Sequence, residues 1–350
     1  MRAAVLKPDG FRFEERSTPV PREGQALVRT LVCGICGSDL HRFHSVTSEK
    51  EAGGQVAGDG QILGHEFCGE LLDYGPRTEG NIKSGRMIAS FPCVLENGRA
   101  EILGFSDSYG GGFGAEMLLQ AGFMLEVKNG LSAELAALTE PMAVGEHAVS
   151  RAGIEPGDVA MVIGCGPVGL AVIAALRWRG VGPIIAVDYS AERRVVAEKL
   201  GADRVIDPAQ FSPYASWADY GIDAKAPTAM QAYATEERIG RAVIFECVGA
   251  PGVLDATLSG APIGSTIVVA GACASEDRIW PINGLVKEVQ LRFSNAYSLK
   301  EFAETLDRIA EGVLDASLFI SKTLPLEKIN EGFDALTRPT DVKILLKHES

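Results

Sequence analysis

The stretch from Val159 to Asp188 constrains this chain more than any other. Val159 to Ile163 is a short apolar run of β type. Gly164-Cys165-Gly166-Pro167-Val168-Gly169 follows and fits G-x-G-x-x-G. The pattern then predicts a helix from Pro167 to about Arg179 and a strand from Ile184 to Val187, with Asp188 at the strand's end. Glycine patterns alone are weak signals, because a chain with 40 glycines matches them by chance. In the order strand, turn, helix, strand, acid, the same pattern is a dinucleotide-binding fingerprint. Gly164 permits the tight turn, Gly166 lets the backbone approach a pyrophosphate, and Gly169 allows close helix–strand packing. The helix N-terminus offers unpaired N–H groups to the phosphates. Asp188 can accept both adenosine ribose hydroxyls, and its charge repels the extra phosphate of NADP, so NAD is expected. Arg193 and Arg194 nearby keep NADP open.

The alternation continues. Ser190 to Leu200 reads as a helix with Ser190 as N-cap and Gly201 as the C′ residue. Val205–Ile206, Ala242 to Phe245 and Thr266 to Ala270 supply more strands, which implies a parallel sheet with right-handed crossovers. The first 150 or so residues instead look β-rich, with short runs such as Ala26 to Val32 between Gly- and Pro-containing turns. Ala133 to Ala152 reads as a helix interrupted near Pro141. Leu299 to Ala310 and Leu326 to Leu336 look like amphipathic helices, and Lys343 to Leu346 like a closing strand that returns to the first domain. At roughly 150 residues per domain, two domains are expected. Their predicted bounds are 1–152 with 296–350, and 153–295. Pro208 to Gly240 carries Tyr214, Trp217, Tyr220 and Tyr233 without periodicity; it reads as a surface loop with a short helix, or as a subunit contact.

Composition removes several classes of function. The formal net charge is −13 and no Lys/Arg cluster stands out, which disfavours nucleic acid and anionic membranes as partners. Val159 to Leu176 is uncharged and long enough to suggest a membrane span. Gly164, Gly166, Pro167 and Gly169 break it early, so strand, turn and helix describe it better. Seven cysteines without disulfide-like spacing, and no apolar signal segment in Met1 to Gly10, fit a reduced cytoplasmic compartment.

Three further segments carry polar chemistry. Cys33-Gly34-Ile35-Cys36-Gly37-Ser38-Asp39-Leu40-His41 has C-x-x-C spacing, which suits a redox pair or a zinc knuckle. There is no second C-x-x-C, so a Cys₄ site is excluded. A redox motif belongs before a helix inside a βαβ unit, whereas this one follows a β-type run and enters Ser-Asp-x-x-His. Gly64-His65-Glu66 and Thr139-Glu140-Pro141-Met142-Ala143-Val144-Gly145 are the other two. Taken singly, Cys36 reads as core, His65 as a turn residue and Glu140 as a helix-surface charge.

As an ordered set, Gly34 to His41, Gly64-His65-Glu66 and Glu140-Pro141, followed by Gly164 to Gly169 and Asp188, resemble the medium-chain zinc alcohol dehydrogenases. The Glu-Pro pattern is most similar to the polyol (sorbitol-type) and threonine-type branches. Phe245-Glu246-Cys247-Val248-Gly249 resembles the family's fourth Rossmann strand, and the likeness spans essentially the whole chain. It implies an α/β fold, with a Rossmann parallel-sheet domain and a β-rich, GroES-like catalytic domain. It implies one catalytic zinc on Cys36, His65 and Glu140, with Glu66 beside the metal as a transient ligand and Asp39 behind the ligands. Ser38 and His41 would form a proton relay. Cofactor contacts would come from Gly164, Gly166, Pro167, Val168, Gly169, Asp188, Arg193 and Val248. Cys33 is expected in the core, His147 as a packing residue, and His44 either solvated or near the substrate.

The implied chemistry is coherent. Zinc lowers the pKa of bound water to about 7, and a bound alcohol should respond similarly. A zinc-bound alkoxide then expels hydride to the nicotinamide, while Ser38, both donor and acceptor, passes the proton to His41. The expected substrate is a small alcohol or its ketone; sugar alcohols, amino alcohols and simple secondary alcohols all stay in the field. The resemblance also implies a homodimer or homotetramer formed through the edge strand Glu288 to Ser294.

The chain departs from the family in three places. Many relatives hold a structural zinc with four close cysteines, but Phe91 to Gly114 contains only Cys93, with Ser106-Asp107-Ser108-Tyr109 and Gly110–Gly112 in place of that lobe. One zinc per chain is therefore expected. Arg42 to Gln61 is long, polar and Gly-rich, and is expected near the substrate entrance as a mobile segment. Lys83-Ser84-Gly85-Arg86 lacks the usual Gly-Asp-Arg order, with local consequences only. Two competing functions are a zinc-free NADPH-dependent enone or quinone reductase, which would lack the metal triad, and a non-catalytic NAD(H)-binding protein, which would have no use for a Ser38–His41 relay.

Overall fold

Val159–Ile163, Ile184–Val187 and Ala242–Glu246 are buried along their whole length, as strands covered on both faces must be. In the computed structural model they belong to a six-stranded, all-parallel sheet. Its order is Arg204–Ile206, Ile184–Val187, Val159–Ile163, Ala242–Glu246, Thr266–Val269, Gln290–Phe293. The chain winds outward from Val159–Ile163 first in one direction and then in the other. The topological switch point thus falls between Val159–Ile163 and Ala242–Glu246, where such folds bind ligands. This is the Rossmann arrangement expected from the sequence.

The structure describes residues 1–51, 60–222, 228–234, 241–313 and 315–349. They form two compact units, Met1–Glu140 with Phe302–Ser350, and Pro141–Glu301. Among the described residues no helix is long and apolar enough to cross a membrane. All seven cysteines are free.

Local signals explain the elements of the second unit. Helix Pro167–Trp178 opens with proline at its first position, where a missing N–H costs nothing. Helix Ala191–Lys199 is capped by the Ser190 hydroxyl, which accepts the Arg193 N–H at 3.3 Å. Three readings need correction. Within Pro208 to Gly240, Pro213–Tyr220 is a short 3₁₀ helix whose Trp217 is fully buried in the core, so this part is an anchor and not a surface loop. The rest of that span falls partly outside the described residues. The interruption expected near Pro141 lies earlier, at Ala137–Leu138, between helices Ala133–Ala136 and Thr139–Ala152; Pro141 sits in the first turn of the second helix. His147 does more than pack, since its Nδ1 lies 3.0 and 3.1 Å from the two Glu301 carboxylate oxygens.

The first unit is built on a seven-stranded sheet in which Ile320–Pro325, Lys343–Lys347, Gln25–Gly34, Glu66–Tyr74, Met87–Ser90 and Met124–Glu126 are successive neighbours. Glu116–Gln120 also pairs with Gln25–Gly34. The C-terminal strand therefore returns to the first unit, as its sequence suggested, and lies antiparallel to Gln25–Gly34. Phe11, Phe43, Phe113 and Phe333 form an aromatic cluster in this core, with ring centroids 4.7 to 6.1 Å apart. Part of the Arg42 to Gln61 segment continues the helix Gly37–Glu51; residues 52–59 lie outside the described residues.

Candidate active site

Three neighbouring strands bring the polar residues of the first unit to one end of its sheet. Gly34 is in register with Glu66 on one side and with Leu345 on the other, and the Ile35 N–H donates to the Ile344 carbonyl. Cys36, the pair His65–Glu66 and Lys343 arrive together as a result. Gly34 has to be glycine, because a Cβ there would lie 2.4 Å from Glu66 Oε2.

After Gly34 the chain turns into the helix Gly37–Glu51, and Asp39 fixes the turn by accepting the Cys36 N–H at 2.9 Å. Asp39 is fully buried, and its other oxygen lies 3.5 Å from His65 Nδ1, near enough for attraction but without hydrogen-bond alignment. The opposite ring nitrogen, Nε2, is 3.4 Å from Ser38 Oγ. Burial disfavours the imidazolium, but Asp39 and Cys36 outweigh it and hold His65 well above the ordinary histidine value. The surroundings of His65 thus favour positive charge. One ligand atom each from Cys36, His65 and Glu66 lies within 4.8 Å of the others. Donors about 2.0–2.3 Å from a shared zinc lie no more than about 4.6 Å apart, so the group is close to zinc spacing, and thiolate, imidazole and carboxylate are zinc's ligand types.

Glu140 is outside that group. It lies in the first turn of Thr139–Ala152, near enough for its charge to act on Lys343. His41 is exposed, one helical turn beyond Ser38. His44 is also exposed, and Cys33 is buried, both within what the sequence suggested. The segment that stands where relatives carry a structural lobe is tied to the approach to His65. Gly111, Gly112 and Phe113 donate N–H groups to the carbonyls of Ile62, Gly64 and Leu63 at 2.8, 2.8 and 3.0 Å. Phe105 lies against the His65 ring, at a centroid distance of 5.2 Å.

The sequence reading missed Lys343. Its ammonium is fully buried, lies 2.7 and 2.6 Å from the two Glu66 oxygens and donates to the Ile35 carbonyl at 3.0 Å. Burial alone would push this lysine down, but Glu66 above all, then Cys36 and Glu140, hold it above the ordinary value. The only sequence signal was a cation opening an otherwise apolar strand, Lys343-Ile344-Leu345-Leu346.

In the second unit, Gly164 takes φ of +91° at the end of Val159–Ile163 and turns the chain into helix Pro167–Trp178. A Cβ at Gly169 would sit 1.8 Å from the Gly164 carbonyl oxygen, so helix and turn are in backbone contact. A Cβ at Gly166 would meet only Arg193, at 3.9 Å, which leaves that face of the turn open to a phosphate. Asp188 is held at the end of Ile184–Val187 by the N–H groups of Cys165 and Ser190, both at 2.7 Å. Arg194 is engaged with the Asp188 and Tyr189 carbonyls and with Asp207. Val248 is half exposed and packs beside the Gly164 turn. The arrangement fits a dinucleotide on the fingerprint pattern.

Removing the Lys343 cation leaves Glu66 buried and unpaired. Lys343→Met is expected to cost about 3–5 kcal/mol of stability by urea denaturation. The double variant with Glu66→Gln should recover most of that loss, and an equal loss in single and double variants would show that the pair is not the cause.

Residues 22–129 match the alcohol dehydrogenase GroES-like domain, and residues 167–311 match zinc-binding dehydrogenases. The chain is 31% identical to (R,R)-butanediol dehydrogenase of Bacillus subtilis, over 96% of each chain. It is 26% identical to sorbitol dehydrogenase of Gallus gallus, over 98% of this chain and 95% of the relative. The crystal structure of 2R,3R-butanediol dehydrogenase from Bacillus subtilis superposes with a TM-score of 0.81 at 29% identity, covering 99% of both chains. With its sheet topology, its polar cluster and these likenesses, the chain belongs to the zinc-dependent medium-chain alcohol dehydrogenase family.

Proposed function

We propose that this enzyme interconverts a small secondary alcohol or polyol and its ketone with NAD, using one zinc per chain held by Cys36, His65 and Glu140. The observation that carries the zinc reading is the convergence of the Cys36 thiol, the His65 imidazole and the Glu66 carboxylate at the buried end of three strands. Both oxygens of Glu66 are taken by Lys343, which favours Glu140 as the third ligand and leaves one position open for substrate. A second reading makes Glu66 that ligand, because its oxygen is the one within the close group. Zinc would supply a Lewis acid that acidifies the substrate hydroxyl, and NAD would take the hydride.

The chain's own residues do the rest. Asp39 draws the Nδ1 side of His65 toward itself, which leaves Nε2 facing the site. Ser38, beside that nitrogen, can accept the substrate proton and donate its own. His41, exposed one turn further along the helix, delivers the proton to solvent. The butanediol and sorbitol relatives favour a substrate with hydroxyls on neighbouring carbons. For the cofactor, the fingerprint pattern puts the phosphates on Gly164, Gly166, Pro167, Val168 and Gly169, with Arg193 and Val248 alongside. Asp188 would accept the adenosine ribose hydroxyls and repel a 2′-phosphate. Arg194 is already engaged elsewhere, which supports NAD over NADP.

We also propose that two copies pair along the edge strand Gln290–Phe293. Phe293 is 65% exposed on this edge strand, and Trp280 and Leu285, at the helix that precedes it in the chain, are 69% and 72% exposed.

Elemental mass spectrometry on protein purified without added metal should find about one zinc per chain. Cys36→Ser and Glu140→Gln should lose most of it and Glu66→Gln should keep it; the reverse order of the two acids would favour the second reading. Asp188→Ser should raise kcat/KM for NADP relative to NAD by about tenfold or more, the scale of one removed charge repulsion. An unchanged ratio would mean that Asp188 does not select the cofactor. Light scattering should give a dimer or tetramer, and Phe293→Asp should shift it toward monomer; a wild-type monomer at all concentrations would refute the pairing.

A further inference from the structure

A cavity of about 550 Å³ opens in the first unit, at the start of Glu116–Gln120 and beside the segment Ser106–Gly110. None of Cys36, His65 and Glu66 lines it, so it is separate from the candidate zinc site. Its volume lies within the range of small-molecule sites and far exceeds what a single metal ion needs.

The walls offer acceptors that lack donors. Gln61 is 7% exposed, and its Nε2 donates to Asp107 Oδ1 at 2.7 Å. That bond fixes the orientation of the amide, and Oε1 then meets no donor among the described residues. Glu116 is half-buried, and its Oε2 is likewise without a donor there. Asp107 stands exposed at the rim.

The cations nearby are committed elsewhere. Arg29 lies opposite Glu116 in the sheet but pairs with Glu70 at 3.1 Å. Arg16, the one basic side chain among the described lining residues, pairs with Glu14 at 2.6 Å. Among the described residues no lysine, arginine or histidine forms an ion pair with Asp107 or Glu116. Water can donate to the two orphaned oxygens but brings no countercharge. Ile62 and Met117 add apolar wall between the polar groups.

We infer that this cavity is a second small-molecule site, which takes a short organic diammonium. An ammonium has three donors and no acceptor, so it matches a wall of carboxylates and an amide oxygen. The methylenes between two ammonium groups would cover Ile62 and Met117. The inference rests on neither the zinc nor the NAD reading.

Calorimetric titration of the whole chain with 1,4-diaminobutane tests this. The diamine should bind saturably, at about one molecule per chain. Succinate, of similar length and opposite charge, should not bind. Asp107→Asn and Glu116→Gln should each raise the Kd for the diamine by about tenfold, the scale of one removed charge attraction. Glu311→Gln, an exposed acid that does not line the cavity, should leave it unchanged. So should Cys36→Ser, which disables the candidate metal site. Absence of diamine binding in the wild type overturns the inference, and so does an unchanged Kd in either cavity variant. Equal weakening in Glu311→Gln would assign the binding to the charge of the whole chain, and loss in Cys36→Ser would assign it to the metal; either result overturns the inference. Should Glu116→Gln fail to fold, Asp107→Asn on the exposed rim decides alone.

Discussion

A carboxylate taken out of water at the start of Glu66–Tyr74 has to meet a cation, and the first unit is organised around that requirement. Lys343 meets it from 277 residues away in the chain, with both oxygens of Glu66 within 2.7 Å of the ammonium. The C-terminal strand must therefore come back and lie beside Gln25–Gly34, and the backbone bond from Ile35 to Ile344 holds it there. With Glu66 paired to Lys343, the Asp39 carboxylate and the Cys36 thiol remain beside the His65 imidazole and favour positive charge there. A place that favours a cation and offers a thiol, an imidazole and a carboxylate is the physical basis for reading it as a zinc site.

The second unit solves a similar problem with backbone groups. Parallel strands end at one edge of their sheet, and the turns that follow present N–H groups there. Asp188 is held by the N–H groups of Cys165 and Ser190, and Glu246 by those of Val248 and Gly249. The two acids end strands on opposite sides of Val159–Ile163. They share a mode of support, a carboxylate held by main-chain N–H groups at the end of a parallel strand.

The Rossmann strands were legible in the sequence because a strand buried on both faces must be an uninterrupted apolar run, and glycine or proline must end it. Val159–Ile163 and Ile184–Val187 therefore have the bounds that the pattern predicted. Cys36 and His65 were singled out by the ordered family pattern, and the structure brings these two together with Glu66. Trp217 was not, because its burial depends on a core assembled from several distant segments. The pairing of His147 with Glu301 was equally hidden, since a helical histidine is silent about a partner 154 residues away. The helix break was misplaced because proline is harmless in a first turn, and Pro141 occupies one.

By itself, the sequence determined the class of the fold, the dinucleotide fingerprint and the identity of the polar residues, since these follow from local apolar periodicity, turn chemistry and short motifs. Only the tertiary structure decided which charges face one another. It paired Glu66 with Lys343, left Glu140 outside the close group of Cys36, His65 and Glu66, and held Glu246 with the N–H groups of Val248 and Gly249. Charge pairing depends on distance in space and on exclusion of water, and strands remote in the chain become neighbours only when the sheet forms.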